Sequence, residues 1–319
     1  MLEILAIIGP VFIIIAIGFI SVRAEVVSKA ECRGLGKFVI TFALPAMMFR
    51  ALSERSFAEV MNTDYLLAYT LGSLASFAFG FGWARWRQGE NLPASAIRGL
   101  GTSVSNGFIC YAVLLQFLGP ASIVALALTF IVENILLIPL VLAIAESSGS
   151  SGQKFHRVVL QTLGRLAKNP LILSIAAGVS CAMLEVKLPG PLAKVVELFA
   201  LSAVSVALFV IGGTLVGQKL GGMVDKIGIV TFGKLVIHPL AIFIAFLLVA
   251  PVDPVMHAAA LTIASISMLS IYPILGQKYG QEGICAATLV ATTTLAFLTI
   301  STMIWLIRSG IAIPGFTAS

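Results

Sequence analysis

From residue 5 to residue 307 the sequence is a succession of ten apolar runs with little between them, at about 5–22, 36–53, 65–83, 97–118, 121–144, 170–184, 195–217, 228–250, 255–277 and 284–307. A helix crossing the hydrocarbon of a bilayer needs roughly 20 mostly apolar residues. Composition leaves no other solvent for such a chain: 319 residues that are 59% hydrophobic and 11% charged, with a mean hydropathy of +1.06, cannot be covered by water-facing side chains. The fold class this predicts is an all-α integral membrane protein, because lipid-facing backbone must satisfy its own hydrogen bonds. The opening MLEILAIIGPVFIIIAIGF carries Glu3 and no basic leader, so it is expected to stay as the first span.

The formal charge of +6 is topology and not a nucleic-acid surface. Fifteen of the twenty Lys and Arg fall in one set of alternate loops, from Arg23, Lys29, Arg33 and Lys37 through Arg85, Arg87 and Arg98 to Lys219, Lys226, Lys234 and Lys278. The other set holds Arg50, Arg55, Lys187, Lys194 and Arg308. The positive-inside rule then places the first set in the cytoplasm and both termini outside the cell (inner) membrane.

Two of the runs are interrupted. Gly101 to Gly119, GTSVSNGFICYAVLLQFLG, carries Thr102, Ser103, Ser105, Asn106 and Gly107 where apolar residues belong, and Thr262 to Gly280, TIASISMLSIYPILGQKYG, does the same half a chain later. Unwound backbone at membrane depth is tolerated only where protein or a water-filled cavity satisfies it, which is where carriers bind their solutes. A shift of 160 or 161 residues superposes Pro10 on Pro170, Asp64 on Asp225, Leu118-Gly119 on Tyr279-Gly280 and Ala112 on Pro273. Five spans per set is an odd number, so the second set enters the membrane inverted. The expected organisation is residues 1–145 as one five-helix repeat, 146–169 as a cytoplasmic linker and 170–319 as the inverted second repeat, with spans four and nine broken and crossed. In the linker, Phe155, Val158, Val159, Leu163 and Leu166 at helical spacing predict a short amphipathic helix; a disordered connector is the alternative.

At the first break Ser105, Asn106 and Gly107 offer hydroxyl, amide and bare backbone, and a half-helix beginning near Tyr111 would aim its N-terminal dipole at an anion. The second break offers Ser265, Ser267, Ser270, Tyr272 and Pro273. The same polar residues could instead only bond neighbouring helices. Glu133, beside Asn134 in the fifth span, is expensive in hydrocarbon and is read as an ion or proton site, or as the partner of a Lys. Pro45 predicts a kink in the second span. His238, with no other His, Asp or Glu near it in the chain, reads as a packed or capping imidazole.

Cys32, Cys110, Cys181 and Cys285 are scattered without a CxxC or a His cluster, and there is no P-loop, so the sequence suggests no catalytic residue, metal site or ATP-driven step. An enzyme is not expected.

Six segments carry a resemblance: GKFVITFALPAMMFRAL, KNPLILSIAAGV, SAVSVALFVIGGTL, KLVIHPLAIF, SNGFICY and IYPILGQKYG. In order and spacing the chain resembles the auxin efflux carrier family over nearly its whole length. The resemblance implies ten spans in two inverted sets of five, a crossover fold similar to that of bile acid sodium symporters, and transport of small organic anions. Spans one, two, six and seven would form a scaffold for the crossed core. Substrate would sit between Asn106, Tyr111, Asn134 and Tyr272-Pro273, with Glu133 for ion or proton linkage. Three positions depart from the family pattern: Ser105 and Ala112 stand where an Asn and a Pro are usual at the first crossover, and Ser205 where a Pro is usual in span seven.

The function expected is therefore a secondary carrier moving a small organic anion, a carboxylate above all, by alternating access. A sodium- or proton-coupled dicarboxylate uptake system and a non-transporting membrane sensor or scaffold are the alternatives. No cofactor is called for beyond Na+ or H+ as coupling ion. The partners are the organic anion and membrane lipid, without nucleic acid; a homodimer is compatible with this reading.

Overall fold

The computed structural model describes residues 2–54, 62–147, 164, 168–217, 224–249 and 253–313. The linker helix expected around residues 155–166 lies outside them, apart from the single residue 164. Every regular element among the described residues is helical. Among the described residues eight helices are long and apolar enough to cross a membrane: Ile4–Arg23, Lys29–Ser53, Thr63–Arg87, Leu92–Leu118, Pro120–Ala145, Gly190–Thr214, Val224–Leu248 and Glu282–Arg308. Two shorter apolar helices, Pro170–Leu184 and Pro254–Ala264, stand where the sixth and ninth runs were read.

In finer detail the elements are α1 (Leu2–Arg23), α2 (Lys29–Phe38), α3 (Leu44–Ser53), α4 (Thr63–Gly82), α5 (Leu92–Ser103), α6 (Gly107–Leu118), α7 (Ile123–Ile131), α8 (Ile138–Ser147), α9 (Pro170–Leu184), α10 (Gly190–Thr214), α11 (Val224–Phe232), α12 (His238–Leu248), α13 (Pro254–Ala264), α14 (Tyr272–Gln277) and α15 (Glu282–Arg308). Several begin a few residues before the apolar run does, because a polar residue caps the first turn. Ser28 and Glu31 form a capping box on α2, and Asn62, Asn91, Asn169 and Asp253 accept backbone N–H groups at the starts of α4, α5, α9 and α13.

Three spans contain a π-helical turn that runs straight into a proline: Val39–Ala43 before Pro45, Val132–Leu137 before Pro139, and Gly233–Ile237 before Pro239. Proline donates no hydrogen bond and its ring pushes away a carbonyl of the preceding turn; widening that turn by one residue keeps the helix continuous. The irregularity expected at Pro45 thus takes the form of a wide turn. The other two wide turns carry Glu133 and Lys234, both buried.

Packing sorts the helices into two groups. α1 lies along α10, and α3 packs on α9 and α10. In the other group α4 packs on α5 and α12, α5 on α8, and α11 and α14 on α15. Close approach in the first group depends on glycine: a Cβ on Gly212 would overlap the Ile15 carbonyl, and one on Gly18 the Phe209 carbonyl.

Two of the basic residues assigned to loops are buried inside helices. Arg98 is wholly buried in α5, where Nε and Nη2 donate to Glu90 at 3.2 and 3.3 Å and Nη2 to Gln281 Oε1 at 2.7 Å. Lys234 is wholly buried in the span Val224–Leu248. A lone Lys amid apolar neighbours scores as a span interior by hydropathy, and counting it as a loop charge was the error.

Candidate functional site at the crossed breaks

The first interrupted span is helical to Ser103, extended at Val104 (φ −118°, ψ 156°), and helical again from Gly107. Asn106 is the N-cap of α6: its Oδ1 accepts from Phe108 and Ile109 N–H at 3.2 and 3.4 Å. The half-helix therefore begins at Gly107 and not near Tyr111, and two of the N–H groups expected to face an anion already have a partner. The second interrupted span ends its first half at Ala264 and resumes only as the short α14 at Tyr272.

The two breaks meet and satisfy each other. Asn106 N–H donates to the Ser267 carbonyl at 2.8 Å, and Asn106 Nδ2 to Ser270 Oγ at 2.8 Å. Thr299 Oγ1 donates to the Ser265 carbonyl at 2.8 Å. Ser105 N–H donates to Glu133 Oε1 at 2.8 Å, and Lys234 Nζ to the Ala264 carbonyl at 3.1 Å. Apart from the Asn106–Ser270 side-chain bond, each engages a backbone group at a helix interruption, and at membrane depth such a group needs a protein partner or water.

Around Ser105 the polar contacts form a chain. Tyr69 Oη donates to Glu133 Oε1 at 3.4 Å, Lys234 Nζ donates to Ser105 Oγ at 2.8 Å, Lys234 Nζ lies 2.7 Å from His238 Nδ1, and His238 Nε2 lies 3.1 Å from Ser73 Oγ. Glu133, Lys234, His238, Ser73, Tyr69 and Ser105 are all at most 3% exposed. Ser105 thus joins a buried carboxyl to a buried amine, one through its amide and the other through its hydroxyl. His238 is one of this chain's members and not an isolated packed ring. Lys234 and His238, four residues apart on one helical face just before Pro239, are the pair the sequence reading missed; the partner sought was a His, Asp or Glu, and a Lys answered.

A cavity of about 140 Å³ lies at the meeting of the breaks. Ser105, Asn106, Gly107, Glu133, Asn134 and Ser270 line it, together with Ile40 from the wide turn of the second span, Leu44 at the start of α3, and Asn169 and Leu171 at the start of α9. Gly107 is required there, since a Cβ would overlap the Phe130 ring. Asn134 Nδ2 donates to the Phe130 carbonyl at 3.0 Å. Four other expected site residues lie elsewhere. Tyr111 is partly buried on α6, outside the cavity lining. Tyr272 is buried with its hydroxyl donating to the Ile97 carbonyl at 3.0 Å, and Pro273 lines a neighbouring cavity of about 270 Å³ with Lys29 and Arg33. Ser267 contributes its carbonyl to Asn106, while its buried hydroxyl has no hydrogen-bond partner among the described residues. A cavity of about 630 Å³ lies between the end of α3 and the ends of α9 and α10 and shares no residue with the breaks.

A family model described as membrane transport protein matches residues 4–306. The chain belongs to the auxin efflux carrier family. It is a membrane transporter, multi-pass and integral. Among its relatives is a protein of Rhizobium meliloti (strain 1021) named "Putative malonate transporter", 31% identical over 318 residues and covering 98% of both chains. The "Uncharacterized transporter YfdV" of Escherichia coli (strain K12) is 29% identical over 242 residues, 74% of this chain and 76% of that one. A mouse protein named "Lysosomal cholesterol signaling protein" is 24% identical over 221 residues, 65% of this chain but only 25% of its own length.

Proposed function

We propose that the protein is a secondary active carrier that moves a small organic anion, a dicarboxylate of malonate type, through the crossed breaks by alternating access. The observation that carries this reading is the cavity in which both breaks, Glu133 and Asn134 meet. Its size suits a small solute, and Asn106, Asn134 and Ser270 offer amide and hydroxyl groups to a carboxylate. The full-length relative named for malonate supports the substrate class.

The organisation is read as two inverted repeats of five helices. Lys29–Ser53 and Gly190–Thr214 start and end 161 residues apart, as do Thr63–Arg87 and Val224–Leu248. Gly72 and Gly233 share that offset, and each is a point where a Cβ would collide with a neighbouring span. Spans one, two, six and seven serve as scaffold, consistent with the packing of α1, α3, α9 and α10. The cavity extends to Asn169, beside Lys168, so on the charge rule it opens to the cytoplasm, with both termini outside.

Glu133 supplies the coupling. An anionic substrate beside an ionised carboxyl in a low-dielectric cavity is repelled, whereas the protonated acid can donate a hydrogen bond to it. Proton and anion therefore bind together. The test is the melting temperature of the detergent-purified protein against mono- and dicarboxylates at two pH values. A rise with malonate that is lost in Asn106→Ala supports the reading; a flat response to every carboxylate in both proteins contradicts it.

A further inference from the structure

The geometry points to Lys234 as the resident cation of the crossed helices: we propose that its ammonium fills the place where a coupling metal cation would be held, so that the carrier binds no Na+ there. An ammonium has three N–H donors and no acceptor. Lys234 Nζ has three acceptors in reach: Ser105 Oγ at 2.8 Å, the Ala264 carbonyl at 3.1 Å and His238 Nδ1 at 2.7 Å. Its donor set is complete and its side chain is wholly buried.

The identity of the acceptors makes the case. Ser105 belongs to the unwound segment of the first broken span, and Ala264 is the last residue of the half-helix α13 in the second. Freed oxygens of unwound backbone and the carbonyl end of a half-helix are what carriers of this general design offer to a sodium ion or proton. Here a tethered charge already takes them. Because an ammonium only donates, His238 Nδ1 accepts, the ring is neutral with its proton on Nε2, and that proton faces Ser73 Oγ at 3.1 Å. The residue before Lys234 is Gly233, where a Cβ would come within 2.5 Å of Thr102 Cγ2; the missing side chain lets the wide turn press against α5 and reach the break.

Tethering has a consequence for coupling. A charge fixed to the chain accompanies the site through every state and leaves with no substrate, so it cannot store an ion gradient. The titratable groups around it are Glu133 across Ser105, His238 on its own span, the Tyr69 hydroxyl from α4 and the Cys110 thiol from α6. Of these, Glu133 lines the substrate cavity. The coupling consequence rests on the carrier reading above; the occupancy of the cation position does not.

The experiment therefore reads the cation position without substrate. Purified protein is melted across a Na+ titration at constant ionic strength, with N-methylglucamine as the balancing cation, and equilibrium binding of radioactive Na+ is measured in parallel. The wild type is expected to show no saturable Na+ binding and no Na+-dependent rise in melting temperature. Lys234→Ser, which vacates the position and leaves a hydroxyl, is expected to gain a saturable Na+-dependent rise. Saturable Na+ binding or stabilisation in the wild type overturns the proposal, whether or not Lys234→Ser folds; a folded Lys234→Ser indifferent to Na+ and to Li+ overturns it too. Absence of any carboxylate response would defeat the substrate reading while leaving this result standing.

Discussion

Ser105 is the residue on which two buried charges converge, its amide toward Glu133 and its hydroxyl toward Lys234. Removing either charged partner leaves the other buried and uncompensated, which costs about 3–5 kcal/mol in comparable buried pairs. Glu133→Ala and Lys234→Met are each expected to lower the melting temperature sharply, and the double variant to lose less than the sum, as a double-mutant cycle would read. Glu133→Gln is a gentler probe: an amide oxygen still accepts from Ser105, but no proton can be exchanged. It should retain carboxylate binding, now insensitive to pH, where the wild type binds the anion more tightly as pH falls, by up to about tenfold per unit while Glu133 is ionised in the free protein. Isothermal titration at several pH values checks both. At this scale much was legible: Glu133, Asn134, Ser105, Asn106, Gly107 and Ser270 were read from their polarity within apolar runs, and all six line the cavity. Lys234 was hidden because the charge rule claims basic residues for loops, and His238 because its partners are a Lys and Ser73, which is distant in the chain.

At the scale of elements, Glu133 and Lys234 sit in the wide turns before Pro139 and Pro239. Pro239→Ala restores a donor in α12 and lets the turn at Gly233–Ile237 relax to ordinary α geometry, rotating Lys234 away from Ser105. The expected outcome is a folded protein with normal helicity by circular dichroism and impaired transport. Sequence foresaw an irregularity at Pro45 but not its form, since a kink and a widened turn share one signature. The α1–α10 contact is different in kind. Gly18→Ala and Gly212→Ala force apart backbones that now touch, and each is expected to destabilise by about 1–3 kcal/mol. Thermal melts of the two variants, with carboxylate binding as a control, separate this packing role from a role at the site.

Across the whole molecule, an offset of 161 residues relates two pairs of spans of equal length, Lys29–Ser53 with Gly190–Thr214 and Thr63–Arg87 with Val224–Leu248, and a shift of 160 or 161 is legible in the sequence in Pro10 and Pro170 or Asp64 and Asp225. What the sequence could not supply was the pairing between halves: Asn106 with Ser267 and Ser270, Lys234 with Ser105, and Arg98 with Gln281 all join residues more than 120 positions apart. Hydropathy records the depth of a residue and carries no information about which partner it meets across the bundle. The Arg98–Glu90 pair, joined by Lys226 Nζ at 2.8 Å from Glu90, ties α5 to α11 and through Gln281 to the turn before α15. The central claim, that a small dicarboxylate crosses with a proton held on Glu133, is tested most directly by uptake of radiolabelled malonate into proteoliposomes free of Na+, with and without an inwardly directed proton gradient. Accumulation driven by that gradient in the wild type and abolished in Glu133→Gln is the predicted result; uptake that ignores the proton gradient and appears only with Na+ would contradict the account.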